Sequence, residues 1–227
     1  MTKRIRRTTG RTECITMAVF LAVLTPLVTP AQTNDSTAAE VAAAVLPLPV
    51  SLRAGATVVV HRGTDQYKVL RKGSNEMVCI REPIQGDGNA YAHGKTFWAH
   101  CYHEMIFVAM KRAAEVREEL VKAGKAADPK LVNDAIDSEI KAGKLKLPDH
   151  PTMGFQMRGP LNGYNPAKNS VSPDIRAWQM VIIPYSTGLS LSLPETNTDG
   201  MPWVMSSGAW NSHIMIGPAQ TPAMQMH

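Results

Sequence analysis

The chain has 227 residues, with 24 Lys and Arg against 19 Asp and Glu, a formal net charge of +5. Five of those bases (Lys3, Arg4, Arg6, Arg7 and Arg11) and one acid (Glu13) fall in the first 31 residues, so residues 32–227 hold 19 bases and 18 acids. That balance excludes recognition of nucleic acid through bulk charge, which requires a basic surface that outlasts processing, and no nucleic-acid partner is expected.

The basic start is followed by an apolar run from Ile15 to Val28, then by Thr29-Pro30-Ala31, with small residues three and one before a cleavage point. Basic, apolar and small-x-small parts in that order predict an export signal peptide over residues 1–31. The alternative is a membrane anchor, but the run falls short of the roughly 20 apolar residues a span needs, and Pro26 interrupts it. Arg6-Arg7 fits the start of a twin-arginine signal, yet Thr8-Thr9-Gly10 does not continue it. No cysteine follows the run at a lipid-attachment position. The remaining 196 residues suit one domain with its own core. They contain no other stretch of spanning length, so the expected location is secreted or periplasmic.

Residues 32–50 read as a short helix or a linker. Thr37-Ala38-Ala39-Glu40 fits a capping box, and Pro47 and Pro49 stop a helix begun there. Residues 56–61 and 67–70 are predicted strands joined by a turn at 62–65, and residues 77–80 a third, together a meander. Residues 83–94 are a predicted loop containing Gly86-Asp87-Gly88-Asn89. From about residue 99 or 101 to 123 a helix is expected, because Ile106, Met110, Ala113, Val116 and Leu120 make one apolar stripe and Gly124 is a natural stop. Asp128-Pro129 caps a second helix with Val132, Ile136 and Ile140 on its apolar side, ended by Gly143. Four further strands are predicted at 153–157, 178–183, 203–205 and 213–216. Together these elements predict an α+β domain over residues 51–216. It has an antiparallel sheet of about six to seven short strands, an inserted helical hairpin and a loose tail over 217–227.

Of three cysteines, Cys14 lies in the leader. Cys79 and Cys101 then form an even pair in an oxidising compartment, which predicts a disulfide. Free thiols or metal ligands are the alternative.

Several phrases carry a resemblance. Leu52-Arg53-Ala54-Gly55-Ala56-Thr57-Val58, residues 70–79, Cys101-Tyr102-His103, Pro202-Trp203-Val204-Met205 and His213-Ile214-Met215 look like phrases of a group of uncharacterised secreted bacterial proteins. The resemblance spans roughly residues 50 to 216. It implies an exported bacterial protein of one domain and brings no activity and no catalytic residue with it.

The densest group of side chains able to do chemistry is His100-Cys101-Tyr102-His103-Glu104. On a helix, His100 and Glu104 would share a face with His103 one position round, a spacing that can present ligands to a metal such as zinc. The H-E-x-x-H order is absent, and the competing expectation is a helix start anchored by the disulfide, with His103 hydrogen-bonded in the core and His100 at the surface. His213 lies in an apolar strand and joins a metal set only if it approaches His103. Ser206-Ser207 precede it, but no G-x-S-x-G elbow is present. Thirteen methionines, with Met224, Met226 and His227 at the end, offer thioether and imidazole donors that suit copper, but core filling and a loose tail account for them better. Residues 86–89 lack the acidic alternation of a calcium loop. Walker, Rossmann and C-x-x-C patterns are missing. Two functions are therefore expected. One is an exported non-enzymatic domain that binds a ligand or partner, with aromatic-bearing loops at Tyr164, Tyr185 and Trp210. The other is a metal-binding protein or metal-dependent hydrolase built on His100, His103, Glu104 and His213.

Overall fold

A computed structural model describes residues 31–61, 67–82, 96–198 and 200–217. The expected signal peptide up to residue 30, the turn at 62–65, the loop at 83–94 and the tail from 218, with Met224, Met226 and His227, lie outside the described residues.

The chain folds as a mixed α+β structure around an eight-stranded, mostly antiparallel sheet. Helix α1 (Ala31–Ala44) and the single turn α2 (Val50–Arg53) precede strands β1 (Thr57–His61), β2 (Tyr67–Arg71), β3 (Met77–Arg81) and β4 (Thr96–His103). Helices α3 (Glu104–Lys122) and α4 (Pro129–Lys141) follow. Then come β5 (Thr152–Pro160), the two-residue strands β6 (Tyr164–Asn165) and β7 (Ser170–Val171), β8 (Arg176–Ile182), the turn α5 (Gly188–Leu191), β9 (Trp203–Met205) and β10 (His213–Ile216). The sheet order is β2-β1-β3-β4-β5-β8-β10-β9, and β6 and β7 form a separate ribbon.

Two expectations are corrected here. The first three strands are not a meander: β3 pairs with β1 in parallel, and β2 is left on the outside. Burial decides the order. The middles of β1 and β3 are buried on both faces, whereas no residue of β2 is buried, which suits an edge. The chain crosses back from β2 to β3 at Gly73, whose N–H donates to Thr57 Oγ1. A Cβ there would collide with the backbone of Gly55, Ala56 and Thr57, so the close crossing requires glycine. The second correction is the helix start. Residues 96–103 are strand, and α3 begins only at Glu104. Phe97, Ala99 and Cys101 alternate with Trp98, His100 and Tyr102, and five of these six are buried. Aromatic-rich sequence buried on both faces is strand sequence.

That alternation also sets the layers. Cys101 packs with Ala44 and Val45 at the end of α1 and with Leu48, Cys79 and Phe155. Its neighbour Tyr102 packs with Ile106 of α3 and with Met180, Ile182 and Met215. Consecutive strand residues leave opposite faces, so α1 covers one face of the sheet and the start of α3 the other. Beyond that contact α3 packs on α4, through Ala109, Ala113 and Val116 against Val132, Ile136 and Trp210. His103 caps α3 by accepting from the Met105 N–H, and Asp128 caps α4 by accepting from the Lys130 N–H. Cys79 and Cys101, directly opposite each other in the β3–β4 ladder and fully buried, are joined as a disulfide.

Candidate functional site

With β4 a strand, the His100–Glu104 cluster is dispersed. His100 lies on the α3 face of the sheet and His103 on the α1 face, because positions three apart on a strand point oppositely. His103 Nδ1 accepts from the Met105 N–H and its Nε2 lies 3.3 Å from Glu76 Oε2. Glu104 is exposed in the first turn of α3, where a carboxylate complements the helix dipole. His213 lies on β10, which β5 and β8 separate from β4 in the sheet order. Its Nδ1–H donates to the Asn211 carbonyl at 2.8 Å. Burial lowers its pKa, partly offset by that hydrogen bond, so the ring is neutral at neutral pH. No group of three or more His, Cys, Asp or Glu is gathered for a metal among the described residues.

His100 instead centres a buried relay that the sequence reading did not anticipate. Its Nε2–H donates to Glu82 Oε1 at 2.8 Å, and Tyr102 O–H donates to its Nδ1 at 3.1 Å. The pairing follows from the sheet. His100 and Tyr102 are two apart on one face of β4, and Glu82 extends β3 opposite Trp98 through its N–H bond to the Trp98 carbonyl. Acceptance by a carboxylate assigns the proton to Nε2 and leaves Nδ1 as the acceptor in the neutral ring. Burial alone would favour the neutral form of Glu82. The hydrogen bond to His100 and the charge its ring carries when protonated, with a contribution from His61, more than offset it, and the carboxyl titrates below its usual range. Burial and the Glu82 charge push the Tyr102 phenol well above its usual range. Tyr102 is thus held as a neutral donor rather than a nucleophile, and the three groups use their hydrogen bonds on one another. Trp98 stacks on His100 with ring centroids 5.2 Å apart, and the Arg158 guanidinium lies 5.5 Å from the Trp98 ring.

A receptacle lies elsewhere on the same side of the sheet. A cleft of about 790 Å³ runs between the start of α3, the end of α4 and the segment after β8. Met105, Ile140, Leu145, Leu147, Ile183 and Pro184 give it an apolar lining, and Asp149, His150 and Lys146 mark its polar edge. Tyr185 closes one wall from a left-handed backbone conformation (φ 64°), its O–H donating to Asp137 of α4 at 3.0 Å. Desolvation and Asp137 together raise its pKa to about 12, so the latch stays protonated. Asp149 and His150 pair at 2.6 Å on the exposed rim. Of the three aromatic loop residues singled out in the sequence, Tyr185 lines this cleft. Trp210 is buried with its indole N–H on Asn133, and Tyr164 is buried against Phe97 on the opposite face. The cleft joins residues 105, 140–151 and 183–185, a convergence with no local sequence motif.

No helix among the described residues is long and apolar enough to cross a membrane. No protein-family model, curated protein or solved structure matches this chain.

Proposed function

We propose that the chain acts outside the cytoplasm as a non-enzymatic binding domain, and that an apolar group of its ligand or partner seats in the cleft between α3, α4 and the 183–185 segment. The supporting observation is the cleft itself. Its volume, about 790 Å³, falls within the range of roughly 300–1,000 Å³ usual for small-molecule sites, and an apolar floor with a few polar groups at the edge is their usual make-up. The fully buried disulfide suits an oxidising compartment, and the resemblance to secreted bacterial proteins points the same way. The His100 relay lies outside the lining of the cleft, with His100 3% and Tyr102 9% exposed, so it offers no reacting group to a ligand seated there.

Titration of the chain with 8-anilinonaphthalene-1-sulfonate tests the site. One saturable dye per chain is expected, with Met105→Lys weakening it about tenfold, as the loss of one buried apolar contact of roughly 1.5 kcal/mol implies. Val121→Lys, on the exposed end of α3, serves as the control and leaves binding unchanged. Dye binding that Met105→Lys leaves intact in a folded protein, or that never saturates, rejects the cleft as the site.

A further inference from the structure

The sheet face that carries Tyr102 changes character where it reaches the far edge. In the β10–β9 ladder His213 lies opposite Met205, and Met215 lies opposite Trp203. The two residues of each strand are two apart, so all four side chains leave the same face. Directly opposed pairs in such a ladder have Cβ atoms about 5 Å apart. Met180 of β8 borders the patch opposite Met215. One imidazole, two adjoining thioethers and an indole ring therefore occupy a two-by-two block at the sheet edge. Imidazole and thioether donors favour Cu(I) over hard oxygen-seeking cations. The indole face is the best aromatic partner for a cation.

The histidine is already oriented for such a role. Its Nδ1–H is committed to the Asn211 carbonyl at 2.8 Å. That bond fixes the tautomer and leaves Nε2 with the lone pair, the arrangement by which a backbone carbonyl orients a metal-ligating histidine. Access comes from the outer strand, where Met205 is 43% exposed. The inner side is apolar, since Met215 packs with Ile106, Met180 and Ile182.

We propose that His213 Nε2 and the Met205 thioether bind one Cu(I) ion, with Met215 as a second thioether and the Trp203 ring alongside. The site is separate from the cleft and from His100, His103 and Glu104. Because Nε2 carries no proton, binding replaces only solvent around the ion, and no redox step is involved.

The test is titration of the full chain with Cu(I) under anaerobic ascorbate, in competition with bicinchoninate. One Cu(I) per chain is expected, with X-ray absorption showing mixed imidazole and thioether coordination. Met205→Leu, at an exposed position, and His213→Gln should each weaken binding at least tenfold. His103→Ala and the combined tail variant Met224→Leu/Met226→Leu/His227→Ala should leave it unchanged. Absence of stoichiometric Cu(I), binding that survives Met205→Leu or His213→Gln, or binding lost with the tail variant overturns the assignment.

Discussion

Replacing His100 by leucine should cost far more than its one imidazole suggests. The residue is 3% exposed, and it satisfies two partners at once. Without it, the buried Tyr102 O–H loses its acceptor, at about 1–3 kcal/mol, and the Glu82 carboxylate, whose side chain is 21% exposed, loses a charge-assisted donor at a similar cost. The sum is roughly 2–6 kcal/mol, which brackets the roughly 3–5 kcal/mol for breaking a buried pair from one side. Tyr102→Phe removes one neutral hydrogen bond without stranding a charge and should cost about 1 kcal/mol. The pH dependence separates the relay from simple cavity loss. Glu82 titrates below its ordinary value of 4.5 in the folded protein, so it contributes stability above that pH that is lost as the pH falls through its folded pKa. In His100→Leu the desolvation of Glu82 is no longer offset, its pKa rises, and acidification through the same window should stabilise the variant relative to wild type. Urea melts followed by far-UV circular dichroism, at about pH 7 and in steps down to about pH 3, below the ordinary carboxyl range, measure both effects. A His100→Leu penalty below about 1 kcal/mol, or an acid slope unchanged from wild type, would mean that the relay does not exist as a coupled unit.

Removal of the disulfide by Cys79→Ala/Cys101→Ala should destabilise the fold by about 3 kcal/mol, the loop-closure value for a separation of 22 residues. Calorimetry should show a fall in Tm of roughly 6–12 °C for a chain of this size, and a shift under about 2 °C would count against that entropic account. Gly73→Ala places a methyl group against the backbone of Gly55, Ala56 and Thr57. The crossing from β2 to β3 must then shift, and a loss of about 1–3 kcal/mol is expected from overpacking, read as a lower urea midpoint with unchanged m-value. Full tolerance of alanine there would contradict the close crossing.

The periodic elements are legible because their patterns are local. Apolar spacing locates α3 and α4, and Asp128-Pro129 with Gly143 marks both ends of α4. Strands β1, β2, β3, β5, β8, β9 and β10 all fall where β-branched or alternating sequence predicts them. β4 is hidden because its C-terminal end runs straight into α3, so the helical reading extends back past residue 104. The telling signal is Phe97, Trp98 and Tyr102, bulky on both faces and suited to a central strand rather than to a helix with one wet side. The error in the element carries into the chemistry. Spacing of four unites His100 and Glu104 on a helix, whereas on a strand an odd spacing sets His100 against His103 and an even one sets it beside Tyr102.

The pairings that local pattern cannot reveal depend on register. Glu82 meets His100 only because β3 and β4 align Ile80 with His100 and Cys79 with Cys101; a one-residue slip would turn the relay to the other face and separate the cysteines. The disulfide and the relay are thus two readouts of one alignment, on opposite faces of the same pair of strands. Likewise His213 lies opposite Met205 only through the turn at residues 206–212, whose left-handed Ser206 and Gly208 set the return of the chain. Composition reveals abundant methionine and the sequence places a histidine in an apolar strand, but neither fixes which thioether faces the ring. That choice is made by the turn, so a change there that shifts the β9–β10 register should abolish Cu(I) binding while leaving every donor in place.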